Sequence, residues 1–222
     1  MDVNAQIAAV ARGLETKEVD GVLSYVQTLS QTYPAPLDDL WDAVTSAERI
    51  PRWFLPISGD LRVGGTYHLE GNVSGEVRRC DPPSGGSAGF TVTWGDGEDP
   101  AIVHIRLIEV DAASTRFELE NIASVVSLPD GVWEQFGPSA TGMGWDSGFL
   151  GLASYFNGGQ DGISPEDAAA WVATDEGKAF MRGSADAWAA AHEADGAEPT
   201  IAKAAADTTY SMYVGETEPP EM

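Results

Sequence analysis

Between residues 57 and 121 apolar and polar side chains alternate in one short segment after another, the period-two mark of strands with one buried face. In TYHLE, Tyr67 and Leu69 fall on one face and His68 and Glu70 on the other. FTVTW sets Phe90, Val92 and Trp94 against two threonines. AIVHIRLIEV places Val103, Ile105 and Leu107 opposite His104 and Arg106, and TRFELEN places Phe117 and Leu119 opposite Arg116, Glu118 and Glu120. Gly64-Gly65, Gly71-Asn72, DPPSGGSAG and GDGEDP separate these runs as turns and loops. Strands joined so briefly are antiparallel neighbours, and one apolar face each predicts a sheet covered on one side. An earlier run, GVLSYVQTLSQT at 21–32, alternates Leu23, Tyr25 and Leu29 with Ser24 and Thr28 and predicts a first strand.

Helical spacing occupies the rest. Leu37, Leu40, Trp41 and Val44 form an amphipathic stripe after Pro36, with Asp38 and Asp39 in the first turn, where the helix dipole favours acids. Ser46 is read as opening a second short helix over Ala47–Arg49, stopped near Pro51. In GWDSGFLGLASYF, Trp145, Phe149, Leu152 and Phe156 make one aromatic-rich stripe, the cover for the sheet. Near the N-terminus, Ile7, Val10, Ala11 and Leu14 predict a short helix within residues 1–19. The fold class expected is α+β: a curved antiparallel sheet wrapped around a long closing helix, spanning residues 20–156. Residues 157–163, NGGQDGI, read as a linker, and 164–214 as an Ala-rich helical extension opened by Ser164-Pro165-Glu166-Asp167. Its apolar faces are Phe180, Ser184, Ala187, Trp188 and Ala191, then Ile201, Ala204, Ala205, Thr208 and Met212. GETEPPEM at 215–222 is expected to be disordered.

The order of motifs resembles a known family. Pro36, Leu40-Trp41, Ala43 and Thr45 are followed by Trp53, then by Asp60, Arg62, Gly64 and Gly65. Gly75, Val77 and Pro82, Phe90 and Trp94, and Gly144, Trp145, Phe149 and Leu152 complete the set. This series is similar to the branch of the START-like (SRPBCC) superfamily named after the activator of the heat-shock-protein-90 ATPase. The resemblance implies the helix-grip fold, with a pocket for apolar small molecules between sheet and helix. Residues 164–214 resemble an extension seen on some actinobacterial members. Two features depart from the pattern. Asn121 stands where many members have His, and the loop IASVVSLPDGVWEQFGPSATGM is longer and more apolar than usual, a candidate lid over 122–143.

Charge narrows the partners. Thirty-five acids against 12 bases give a formal charge of −23, and only Lys17, Lys178 and Lys203 are lysines. Such a surface repels nucleic acid and anionic membranes. High-salt adaptation and simple solubility both fit it. The chain has no apolar run of about 20 residues for a membrane span and no basic-then-apolar leader pattern over Met1–Arg12, so the cytoplasm is the expected location. Cys80 is the one cysteine, which excludes an internal disulfide and a thiolate metal site. His68, His104 and His192 fall on two strands and a tail helix without ligand spacing, so no metal or cofactor is expected. No nucleophile elbow is present, no catalytic residue is assigned, and Asp96, Glu98 and Asp99 read as a solvated turn.

The aromatic residues carry the functional expectation. Trp53, Phe54, Tyr67, Trp94, Phe117, Trp145 and Phe149 should converge between sheet and helix with Leu152, and Asn121 joins them as an inward polar group. Together they predict a site for an apolar or amphipathic small molecule. Two other functions suit the same fold. A cyclase or aromatase needs a positioned acid or base, and only Tyr67 and Asn121 read as inward polar groups, which argues against an enzyme. A chaperone-ATPase-activating protein interaction is what the branch name suggests. The extension is expected to dock, either on the polar sheet face bearing Arg78, His104, Arg106 and Arg116 or on a second copy in a homodimer.

Overall fold

The computed structural model describes residues 2–158 and 165–217. Eight strands form one antiparallel sheet: β1 (Ala11–Val19), β2 (Val22–Tyr33), β3 (Ile57–Gly59), β4 (Thr66–Leu69), β5 (Ser74–Ser84), β6 (Ser87–Trp94), β7 (Ala101–Asp111) and β8 (Ser114–Ser124), in the order β1-β2-β8-β7-β6-β5-β4-β3. The helices are α1 (Val3–Ala9), α2 (Leu37–Thr45), α3 (Val132–Phe136), α4 (Ser139–Phe156), α5 (Pro165–Val172), α6 (Asp175–Ala194) and α7 (Pro199–Tyr213). This is the expected α+β helix-grip arrangement, with α4 as the closing helix. Among the described residues no helix is long and apolar enough to cross a membrane.

The sheet curves for local reasons. β5 carries register shifts between Val77 and Arg79 and between Asp81 and Ser84, and such bulges bend a strand. Gly75 lets β4 and β6 close in, since a Cβ there would lie 2.0 Å from the Thr93 carbonyl oxygen and 2.7 Å from the Tyr67 hydroxyl. Most of the predicted inward set is buried, including Tyr67, Leu69, Val103, Ile105, Leu107, Phe117 and Leu119, while Phe90 and Trp94 are half-buried; on β2 the expected alternation fails at its start, where Leu23 is exposed and Ser24 buried. On the outer face, Arg78 pairs with Glu76, and Arg106 and Arg116 both pair with Glu118.

The N-terminal reading needs correction. The helix stops at Ala9, capped by Asp2, whose Oδ1 accepts from the amides of Asn4 and Ala5. Val10 is already extended, and Leu14 lies on β1, so the sheet begins before the expected boundary at residue 20. The reason is Asp20-Gly21. Both adopt positive φ, 51° and 83°, and Val19 pairs with Val22, which makes a two-residue hairpin turn. A second correction is smaller. Ala47–Arg49 is a turn, and the 3-10 helix that follows, Ile50–Arg52, contains Pro51 near its start, where no N–H is needed.

The extension folds back onto its own chain rather than onto the outer sheet face. Helix α6 packs against α4, α1 and β1, and α7 packs on α6. Phe180 and Trp188 are fully buried by these contacts. The chain itself thus covers these two side chains. The acids of the extension are used locally: Asp186 pairs with Arg182, and Asp195 accepts from the Thr16 amide and hydroxyl on β1. The buried face of α7 is Ala202, Ala205, Ala206 and Thr209, while Ile201 is 54% exposed, so the expected stripe is rotated. Small side chains at the contact let α6 and α7 approach closely. The helix-start residue Ser164, linker residues 159–163 and tail residues 218–222 lie outside the described residues.

Candidate functional site

A cavity of about 160 Å³ lies between the concave sheet face and α4. Helix α2 and the turn at residues 50–54 close one end through Val44, Thr45, Ile50, Trp53 and Phe54. The structure brings eight of the nine expected site residues to its wall: Trp53, Phe54, Tyr67, Trp94, Phe117, Trp145, Phe149 and Leu152. The aromatic rings interlock in offset and edge-on pairs. Trp94 meets Trp145 at 4.5 Å and 57°, and Phe117 meets Phe149 at 5.2 Å and 81°. Aliphatic residues outside the expected site set fill the gaps, including Ile57, Leu61, Val77, Val92, Val103 and Ile105. The same period-two alternation carried the signal for several of them.

Asn121 departs from the expectation. It is buried, but it does not line the cavity. Its amide donates to Gln27 Oε1 at 3.1 Å, Thr141 Oγ1 donates to the same oxygen at 2.5 Å, and Gln27 Nε2 donates to the Pro138 carbonyl at 2.7 Å. Asn121 therefore belongs to a polar clamp that fixes the start of α4. Gln27 lies directly across the ladder from it, and the two amides find each other there. The candidate lid also lies elsewhere. Trp133 stacks on Tyr25 at 3.4 Å and 6°, and the Phe136 carbonyl accepts from Thr209 of α7, so α3 is held between β2 and α7. No residue from 122 to 143 borders the cavity.

The polar groups in the wall are few and already engaged. The Tyr67 hydroxyl donates to the Thr93 carbonyl at 2.7 Å, and burial pushes its pKa well above the usual phenol range. The Trp53 indole donates to the Ala43 carbonyl at 2.9 Å, and Thr45 donates to Trp41 at 2.7 Å. Burial and then the charge of Asp81 raise the Cys80 thiol, which leaves it protonated and a poor nucleophile at neutral pH. No Asp, Glu, His, Lys or Arg is among the lining residues. One donor is left over: the buried indole N–H of Trp145 meets no acceptor in the described chain. A buried donor without a partner is destabilising by about 1–3 kcal/mol. The described residues contain no group of three or more His, Cys, Asp or Glu placed to hold a metal.

Behind α4 lies a polar cluster that the sequence pattern concealed. Asp146 faces away from the cavity and is fully buried. Both its oxygens accept from Arg12 Nε at 3.0 Å, and Oδ2 also accepts from Ser184 Oγ at 2.5 Å and Trp188 Nε1 at 3.1 Å. Arg12 Nη2 sits 2.9 Å from Oδ1, an ion-pair distance without hydrogen-bond geometry. Arg12 Nη1 donates to the carbonyls of Ile7 and Val10. The N-terminal segment, the closing helix and the extension thus meet at one carboxylate.

Residues 34–157 match the family described as Activator of Hsp90 ATPase homolog 1-like protein. Two structures of CalU16 from Micromonospora echinospora are similar to this chain at 29% identity. The crystal structure has a TM-score of 0.59 over 83% of this chain and 99% of that one. The solution structure has a TM-score of 0.64 over 84% and 97%. PFC0360w, an HSP90 activator from Plasmodium falciparum, is similar at 23% identity over 60% of this chain and 96% of that one, with a TM-score of 0.46. No curated protein matches the chain.

Proposed function

The chain belongs to the family of Activator of Hsp90 ATPase homolog 1-like proteins, and on that premise we propose that it holds an apolar or amphipathic small molecule in the cavity between the sheet and α4. The observation that supports this reading is the wall itself. It is built from apolar and aromatic side chains around about 160 Å³ of space, and its Tyr67 hydroxyl and Trp53 indole are turned to backbone acceptors. Burial of an apolar group there gains roughly 25 cal/mol per Å² removed from water. An apolar cavity of about 150 Å³ is large enough to stay dry and take up benzene. Binding therefore follows from shape and water exclusion. A cyclase-type reading gains no support from Tyr67, whose proton is already committed to Thr93.

The test is a titration of the full chain with benzene, followed by ligand-detected NMR. The proposal expects saturable binding that is lost in Val103→Phe, where the added ring fills the space; Ile105→Phe serves the same purpose if the first variant does not fold. Absence of saturable binding, or binding indifferent to a folded filling variant, contradicts it.

A further inference from the structure

A second space, of about 540 Å³, runs along the flank of α4 beside the extension. Its floor is a series of small residues one turn apart: Ala140, Gly144, Ser147, Gly151 and Ser154. Trp171 and Val172 of α5, Met181 of α6 and Tyr213 of α7 wall one side. Trp53, Phe54, Trp94, Trp145 and Gly148 border this trough and the inner cavity alike. We propose that one elongated amphipathic molecule spans both spaces, with an apolar end in the inner cavity and a wider, oxygen-bearing part in the trough beneath α5–α7. This inference rests on the function proposed above.

Three observations carry it. The first is size. The inner cavity has room for about one benzene-sized group, whereas sites for larger organic ligands run to roughly 300–1,000 Å³. The trough falls in that range and the inner cavity does not. The second is continuity. The boundary is made only of the rings of Trp53, Phe54, Trp94 and Trp145 and of Gly148, where a Cβ would already lie 3.3 Å from the Phe54 ring. A glycine there keeps the partition thin. The third is polarity. Apart from the Trp145 indole, the polar groups of the inner wall are bonded within the chain, while the trough wall is more polar: it includes Asn72, Ser154 and Glu176 beside Thr141 and Ser147, whose hydroxyls donate to Gln27 and to the Met143 carbonyl. The Trp145 side chain borders both spaces.

The experiment compares two probes on the full chain: benzene, and prodan, an elongated naphthyl ketone whose emission reports its surroundings. Ser147→Phe fills the trough only, and Ser154→Phe replaces it if that variant does not fold. The expected result is a fall in prodan affinity of about tenfold or more with benzene binding unchanged, and loss of both probes in Val103→Phe. If benzene binds and prodan is indifferent to the folded trough variants, or prodan is indifferent to Val103→Phe, the two spaces are not one site and this inference is overturned while the function stands. If benzene does not bind the unaltered chain, the function itself fails and the inference with it.

Discussion

At single positions, Asp146 and His192 are two buried polar groups outside the cavity wall. Asp146 anchors Arg12, Ser184 and Trp188 at once. Replacing it with Asn leaves the Arg12 guanidinium buried against a neutral amide. Breaking such a pair by one partner is destabilising by about 3–5 kcal/mol. Urea unfolding of Asp146→Asn is expected to show that loss, and an unchanged midpoint would refute the role. His192 gives the pH dependence. Burial lowers its pKa below the usual 6.5, against the opposing pull of Asp195. The unfolded chain then binds the proton more readily. Its contribution to stability is therefore complete above pH 6.5 and is lost as pH falls through 6.5 toward the lowered folded value. His192→Gln should flatten that part of the stability profile, read as denaturation midpoints across pH. The burial of neither residue was visible in the sequence. Asp146 sits within GWDSGFLGLASYF as one polar position on a helix whose apolar stripe pointed to the cavity. A single acid does not reveal that a distant arginine will meet it.

At the scale of elements, the alternation from Tyr67 to Leu119 was legible because each strand has one wet face, which leaves a period of two in the sequence. Six of the nine site residues followed from that alternation and from the stripe on α4; Trp53 and Phe54 lie on neither, and Trp53 entered through the family resemblance. The misreadings share a cause. Residues 11–19, ARGLETKEV, form an edge strand with little apolar alternation, and only the Asp20-Gly21 turn marked it. Asn121 continues the inward face of Phe117 and Leu119, yet Gln27 on the neighbouring strand captures it, and cross-strand partners are not visible along one strand. The extension was visible as helices, but its docking surface was not. That surface is the back of α4, including Gly142, where a Cβ would lie 2.3 Å from the Trp188 ring. Ending the chain after Gly158 uncovers that face and strips Asp146 of Ser184 and Trp188. The expected outcome is a markedly lower melting temperature or aggregation. A truncated protein that melts like the full chain would show that the extension contributes nothing to the fold.

For the molecule as a whole, the closing helix is buried on two sides, against the sheet through Phe149 and Leu152 and against the extension through Asp146 and Gly142. That double burial fixes α4 while the sheet curves away from it, and the cavity is the space left between them. The net charge of −23 has no counterpart in the wall of the inner cavity, which carries no charged side chain. Under the proposed function, selection would rest on the size and apolarity of this cavity rather than on the charged surface. The most direct test is a crystal of the full chain soaked with iodobenzene, with anomalous scattering used to locate the iodine. The account predicts an iodine peak between Val103 and Phe149, beneath α4. Iodine confined to the protein surface, with none between sheet and helix, would contradict it.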